Sequence, residues 1–179
     1  MIMILMIATQ VLAADVSLYA PTPIAAIEAM LKLAKVTESD IVYDLGCGEG
    51  HVLVFASKIY GCRSVGIDID PDCVATAKRN VNANGLWGLS LVYEGDVLTA
   101  DFSRATVVTL YLMPDLLKEL KPKLDKQLSP GTRIVCYEKP IPGVKPSQTV
   151  VSSDYTLYLY RTPLVAIKLL VAIKCTGST

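Results

Sequence analysis

Histidine, paired cysteine and net charge are what this sequence has least of. Its 179 residues include one histidine, His51, and the five cysteines (Cys47, Cys62, Cys73, Cys136 and Cys175) contain no Cys-x-x-Cys pair. That leaves no zinc site of ordinary spacing, and no protein metal is expected. An odd number of cysteines scattered over separate segments fits buried or free thiols in a reducing compartment better than a disulfide framework. Charge is sparse and balanced, with 17 basic side chains against 17 acidic ones and 19% charged residues in all. Such a balance argues against a chain held on nucleic acid by its charge, so no nucleic-acid partner is expected. At 52% hydrophobic residues the chain is not a disordered one. Its length suits one domain with a real core and is too short for a catalytic domain plus a separate substrate domain.

The two ends differ from the body. Residues 1–14 (MIMILMIATQVLAA) carry no charge and end in small residues before Asp15, like the core and cleavage site of a short secretory signal. The run is too short to span a bilayer, and no Lys or Arg precedes it. A signal or anchor remnant therefore competes with a packed N-terminal helix, and membrane association or export through this end stays open. At the other end, residues 164–174 read LVAIKLLVAIK, with a lysine every sixth residue, which fits neither a period of two nor a heptad. An extra element on the sheet edge or a poorly ordered tail is the favoured reading, with no function attached. The chain thus divides into residues 1–14, a domain over 15–163 and a tail over 164–179.

The body alternates apolar strands with helices, which predicts a mostly parallel sheet with helices on both faces. Thr22 as N-cap and Pro23 at the first helical position open a leading helix, with Ile24, Ile27, Leu31 and Ala34 at helical spacing. Strands are predicted at 40–45, 64–69, 89–93, 105–112 and 132–137, and helices at 52–60 and from Asp70-Pro71 to about Asn84. Gly61 and Gly85 close those two helices. A lysine-rich helix opens at Pro114, and Pro122 is expected to kink or break it. Residues 149–151 and 155–160 are strands too close in sequence for a helical crossover, so the sheet ends in an antiparallel edge hairpin.

The chemistry concentrates at the carboxyl ends of the first three strands. Asp44-Leu45-Gly46-Cys47-Gly48-Glu49-Gly50 joins the first strand to its helix, where glycines let the backbone approach a ligand. Its G-x-G-x-G spacing is not the G-x-G-x-x-G associated with pyrophosphate, and Asp44 would repel a phosphate but attract a cation. Asp68 ends the second strand, where a carboxylate can accept two hydrogen bonds from a ribose diol. Asp96 follows the third strand, placed to accept a proton from an exocyclic amine. Together the three acids describe a nucleoside that carries positive charge and no phosphate. Cys47 reads as structural, Asp70 as a helix N-cap, and His51 as a helix-terminal polar contact rather than a catalyst.

The stretches YDLGCGEG, GIDID and EGDV, in that order and spacing, resemble the class I S-adenosylmethionine-dependent methyltransferases over roughly residues 19–163. The resemblance implies a single Rossmann-like methyltransferase domain with S-adenosyl-L-methionine as cofactor. It also implies that Asp44, Gly46 and Gly48 surround the methionine moiety, Asp68 the ribose hydroxyls, and Asp96 with Val97 the adenine. Tyr19-Ala20-Pro21-Thr22-Pro23, ATVVTLYLMP and LSPGTRIV look like the small bacterial relatives of the mitochondrial ATP-synthase c-subunit lysine methyltransferases. A protein-lysine acceptor is implied. The sequence departs from that group at Glu49 and His51, where Asp and Arg are frequent, and at Tyr137-Glu138.

Methyl transfer from a sulfonium is an in-line displacement with the leaving group already activated, so the protein supplies mainly orientation, desolvation and an unprotonated nucleophile. Tyr111 is the candidate catalytic residue lining the acceptor channel, with Tyr19, Thr22 and Glu138 behind it. For Tyr111 an aromatic merely packed under a neighbouring helix is an equal reading. A protein-lysine acceptor, a small-molecule acceptor at the same cofactor site, and a noncatalytic cofactor-binding module are the three function classes that follow. Because the cofactor is made in the cytosol, a cytoplasmic active domain is expected, with or without a membrane tether.

Overall fold

The computed structural model describes residues 21–167; the expectations for residues 1–14, for Tyr19 and for the tail from residue 168 onward lie outside it. Seven strands form one sheet in the order β3-β2-β1-β4-β5-β7-β6. β1 (Ile41–Leu45), β2 (Arg63–Asp68), β3 (Ser90–Glu94), β4 (Val107–Leu110) and β5 (Arg133–Tyr137) run parallel, as the strand–helix alternation predicts. β7 (Thr156–Arg161) pairs antiparallel with both β5 and β6 (Gln148–Val151), so the edge hairpin is present and β7 is its inner strand.

Alternation along the strands sorts the core onto two faces. Tyr43, Leu45, Val65, Ile67, Val108, Leu110, Ile134 and Cys136 turn to one side, where they meet Leu117, Leu120 and Leu124 of α4 (Pro114–Gln127). Val42, Val107, Val135 and Tyr137 turn to the other, under α1 (Ile24–Leu33) and α2 (His51–Tyr60). α3 (Pro71–Ala83) packs Val74, Ala77 and Val81 beside them, against Leu53 and Val92. Helices therefore cover both faces, but the connection from β3 to β4, residues 95–106, contains none. There Leu91 and Tyr93 of β3 are 51% and 53% exposed.

Local chemistry sets the ends of the helices. Asp70 caps α3, its Oδ1 accepting from the backbone N–H of Asp72 at 2.9 Å and of Cys73 at 3.4 Å. Three expectations are corrected. Thr22 is not the N-cap of α1; Pro23 is, extended at φ −59° and ψ 144°, its carbonyl accepting from Ala26 and Ile27 at 2.9 and 3.0 Å, with no side-chain cap. Ile24 consequently stands outside the apolar stripe at 56% exposure, and Ala26, Ile27, Met30, Leu31 and Ala34 make it instead. Pro122 does not break α4: it lies on the exposed face, where water can serve the Lys118 carbonyl that loses its partner, while Leu117, Leu120 and Leu124 hold the other face.

α1 and α3 end in the same motif. In α3 the N–H of Gly85 (φ +69°) bonds Asn82 O and that of Leu86 bonds Val81 O; in α1 Lys35 (φ +53°) and Val36 do the same to Lys32 O and Leu31 O. Arg133 then ties the end of α1 to the sheet, donating to the carbonyls of Ala34 (2.8 Å) and Lys35 (3.1 Å) and pairing with Asp40. Burial pushes the Asp40 carboxyl up, yet hydrogen bonds from Thr106, the Thr37 N–H and Arg133 outweigh it and hold Asp40 below its ordinary range. These ties anchor the end of α1 at the amino edge of the sheet, and its first turns, with Thr22, Ile27 and Met30, reach the cavity at the carboxyl edge.

Candidate active site

A cavity of about 590 Å³ opens at the carboxyl ends of the parallel strands, the place where open α/β sheets bind ligands. Asp44, Asp68 and Asp96, read from three separate motifs, stand together on its wall with Gly46 and Val97. Tyr111 and Thr22 line it as well. Tyr19 lies outside the described residues.

Each acid is held differently. Asp44 sits in register with Thr109 of β4, whose hydroxyl donates to Asp44 Oδ1 at 2.6 Å. Burial pushes its carboxyl up to about 7, with Thr109 opposing and the nearby Asp68 adding to the rise. A buried acid with one hydroxyl partner and a like charge close by is a place where a cationic group is welcome. Asp68 Oδ2 accepts from Gly48 N at 2.7 Å and Oδ1 from Asp70 N at 3.0 Å, which fixes the carboxylate and leaves it lone pairs for hydroxyl donors. Asp96 Oδ1 accepts from Leu98 N at 2.8 Å in an Asx turn.

The glycine loop serves these acids more than it serves a ligand. The N–H groups of Gly46 and Cys47 both bond Ile67 O, at 2.8 and 3.1 Å. Gly46 holds φ +81°, and a Cβ there would lie 2.8 Å from Leu112 Cδ2, so the loop lies close beneath the β4 end. Gly48 is not among the residues that line the cavity; its N–H donates to Asp68 and helps to hold that carboxylate. Cys47 is buried and its thiol is pushed well up by burial beside Asp44 and Asp68, which matches a structural role rather than a nucleophilic one. His51 opens α2 on the cavity wall, with Nε2 3.8 Å from Glu49 Oε2.

The facing wall comes from β4, β5 and the segment before α1. Tyr111, just past β4, is 39% exposed and meets Tyr137 edge to face, with centroids 4.8 Å apart and an interplanar angle of 83°. Leu112, Met113 and Leu116 extend the apolar surface beside it. Glu138 is not among the residues that line the cavity, and its Oε1 accepts from Thr156 N at 2.9 Å on β7. Met30, Cys73, Leu116 and Lys139 also line the cavity and were not singled out for the site from the sequence. Among the described residues no group of His, Cys, Asp and Glu is arranged to hold a metal ion, and no helix is long and apolar enough to cross a membrane.

Sheet order, the acid trio and the facing aromatic wall define the class, a methyltransferase of the Rossmann-like kind. The chain belongs to the ANTKMT methyltransferase domain family, whose model matches residues 44–148. A protein-lysine N-methyltransferase of Saccharolobus islandicus is 40% identical over 147 residues, covering 79% of this chain and 91% of its own. The human lysine N-methyltransferase of the ATP synthase c-subunit is 24% identical over 142 residues, and the match spans 60% of that longer protein. Among solved structures, an RNA methyltransferase from Salinibacter ruber in complex with S-adenosyl-L-homocysteine superposes with a TM-score of 0.79 at 42% identity. That match covers 80% of this chain and 94% of the other.

Proposed function

We propose that the protein transfers the methyl group of S-adenosylmethionine to lysine side chains of a protein acceptor. The observation that carries the reading is the convergence of Asp44, Asp68 and Asp96 from three successive strands on one cavity faced by an aromatic and apolar wall. In this reading Asp44 receives the cofactor's ammonium group, which relieves the cost of burying the carboxylate. Asp68, already oriented by Gly48 and Asp70, receives the ribose diol, and Asp96 with Val97 borders the adenine. The bound cofactor supplies an activated methyl group on a sulfonium.

The chain's own task is then to present a neutral amine in line. A lysine at its ordinary pKa of about 10.4 is almost wholly protonated at neutral pH. Tyr111, Leu112, Met113 and Leu116 offer an apolar surface that, once covered by the acceptor, favours the uncharged form, and the Tyr111 hydroxyl offers it a hydrogen-bond partner. No histidine base is required, which suits a chain whose one histidine sits at a helix start. The same reading puts the active domain in the cytoplasm, where the cofactor is made.

An RNA acceptor is the second reading, favoured by the Salinibacter ruber structure. Against it stand the zero net charge of the chain and the four aspartates, Asp44, Asp68, Asp70 and Asp96, on the cavity wall. The deciding experiment incubates the protein with methyl-labelled cofactor and host lysate, then separates protein from RNA. Label on lysines of protein is expected; label confined to RNA replaces the lysine reading with the RNA one.

A further inference from the structure

Lys139 is the one lysine among the described residues that stands on the cavity wall. Lys32, Lys58 and Lys121 are engaged elsewhere, with Glu28 at 2.5 Å, Asn84 at 3.0 Å and Asp125 at 3.2 Å. Lys123 lies over the Phe102 ring. Lys139 reaches the cavity through an uncommon piece of backbone. Glu138, directly after β5, holds φ +60°, and the N–H of Lys139 bonds Tyr137 O at 2.7 Å. A three-residue turn of that hand is rare and strained for a side chain with a Cβ. Here two bonds hold it in place: Glu138 N donates to Thr156 O at 2.8 Å, and Thr156 N donates to Glu138 Oε1 at 2.9 Å. Lys139 is exposed where it borders the cavity, and the turn locked from both sides fixes the point on the rim from which its side chain extends.

We infer that Lys139 is itself a methyl acceptor, modified by its own chain. The inference rests on the S-adenosylmethionine reading above. After losing its proton to water, Nζ of Lys139 attacks the methyl carbon; the C–N bond forms as the C–S bond breaks, and that electron pair stays on sulfur. S-adenosylhomocysteine leaves, and the balance is one methyl gained by Nζ and one proton released to solvent. The flexible four-carbon stem lets Lys139 enter the channel when no outside acceptor fills it and withdraw when one does.

Two measurements test this on the full chain. The first incubates the purified protein with methyl-labelled cofactor alone and maps the label by peptide mass. Label on Lys139, with a first-order rate independent of protein concentration and lost in Lys139→Arg, is expected. Labelled lysate proteins with Lys139 unlabelled overturn the inference and leave the lysine-methyltransferase reading intact, and a rate that grows with protein concentration also overturns it. The second measurement needs no turnover: acetic anhydride labelling of Lys139 in the wild-type protein, with and without S-adenosylhomocysteine. Protection of Lys139 by several-fold, with Lys118 and Lys145 unaffected, is expected; equal labelling in both conditions places Lys139 away from the bound cofactor and overturns the inference.

Discussion

The two walls of the cavity are built by opposite means. On the β1–β3 side each carboxylate is fixed by hydrogen bonds from the surrounding framework: Asp44 by Thr109 of β4, Asp68 by Gly48 and Asp70, Asp96 by Leu98. On the β4–β5 side, Tyr111, Met113 and Lys139 come from the ends of separate strands and carry few bonds, with Met113 70% exposed. A preorganised polar wall suits a ligand that must always bind in one pose. The looser apolar wall suits a partner that must enter, react and leave.

If that division is real, substitutions should divide along it. The largest effect is expected at Asp68→Ala, which removes a carboxylate holding two backbone N–H groups as well as its ligand contacts. Charge-assisted bonds are worth roughly 1.5 to 3 kcal/mol each, so S-adenosylhomocysteine affinity should fall by about 100-fold in calorimetry. Unchanged affinity in the folded variant removes Asp68 from the cofactor wall. Next comes Tyr111→Ala, which exposes the edge of Tyr137. About tenfold loss of turnover is expected while S-adenosylhomocysteine affinity stays within about twofold, since a ring pair contributes only about 0.5 to 1.5 kcal/mol beyond burial. Equal losses in both would show that the two walls are not separate.

The pH response of Asp44 sharpens the comparison further. Its carboxyl is raised to about 7 in the folded chain, so the native state binds a proton that the unfolded state gives up near its ordinary value of 3.8, and stability falls as pH rises through that window. A cationic ligand prefers the ionised form, so its affinity should rise by up to about tenfold between about pH 6 and pH 8 and flatten in Asp44→Asn. A flat wild-type profile removes Asp44 as the ammonium partner. Smallest of all, Lys35→Gly touches neither wall. It relieves the φ +53° position that ends α1, and should add about 0.5 to 1 kcal/mol in thermal unfolding with ligand affinity unchanged.

The same contrast explains how much the sequence disclosed. Asp44, Asp68 and Asp96 each stand at or within two residues of the carboxyl end of a strand, inside a short recognisable run, so residue type and position together announce them. Tyr111 was legible from its place just past β4. Glu138 sat in an equivalent position after β5, but its backbone turns to φ +60° and its side chain folds onto Thr156, 18 residues on. No local pattern reports a bond to a strand that has not yet appeared in the chain. The partner of Gly48 was hidden for the same reason, since its N–H goes to a carboxylate 20 residues away. Pro122 shows the reverse, a strong local signal overridden because its face of α4 is wet.

The position of β7 has a consequence for how the chain comes into being. Among the described residues β6 has no sheet partner other than β7, and β7 lies between it and β5. During synthesis β6 emerges first and has nothing to pair with until Thr156–Arg161 follows it, so the β7–β6 end of the sheet closes in one late event. The Glu138 turn depends on Thr156 for both of its locking bonds, and so it forms in that event as well. A nascent chain that has completed β1–β5 therefore already carries the three acids and Tyr111, while the Glu138 turn and the Lys139 that follows it wait for the last strand.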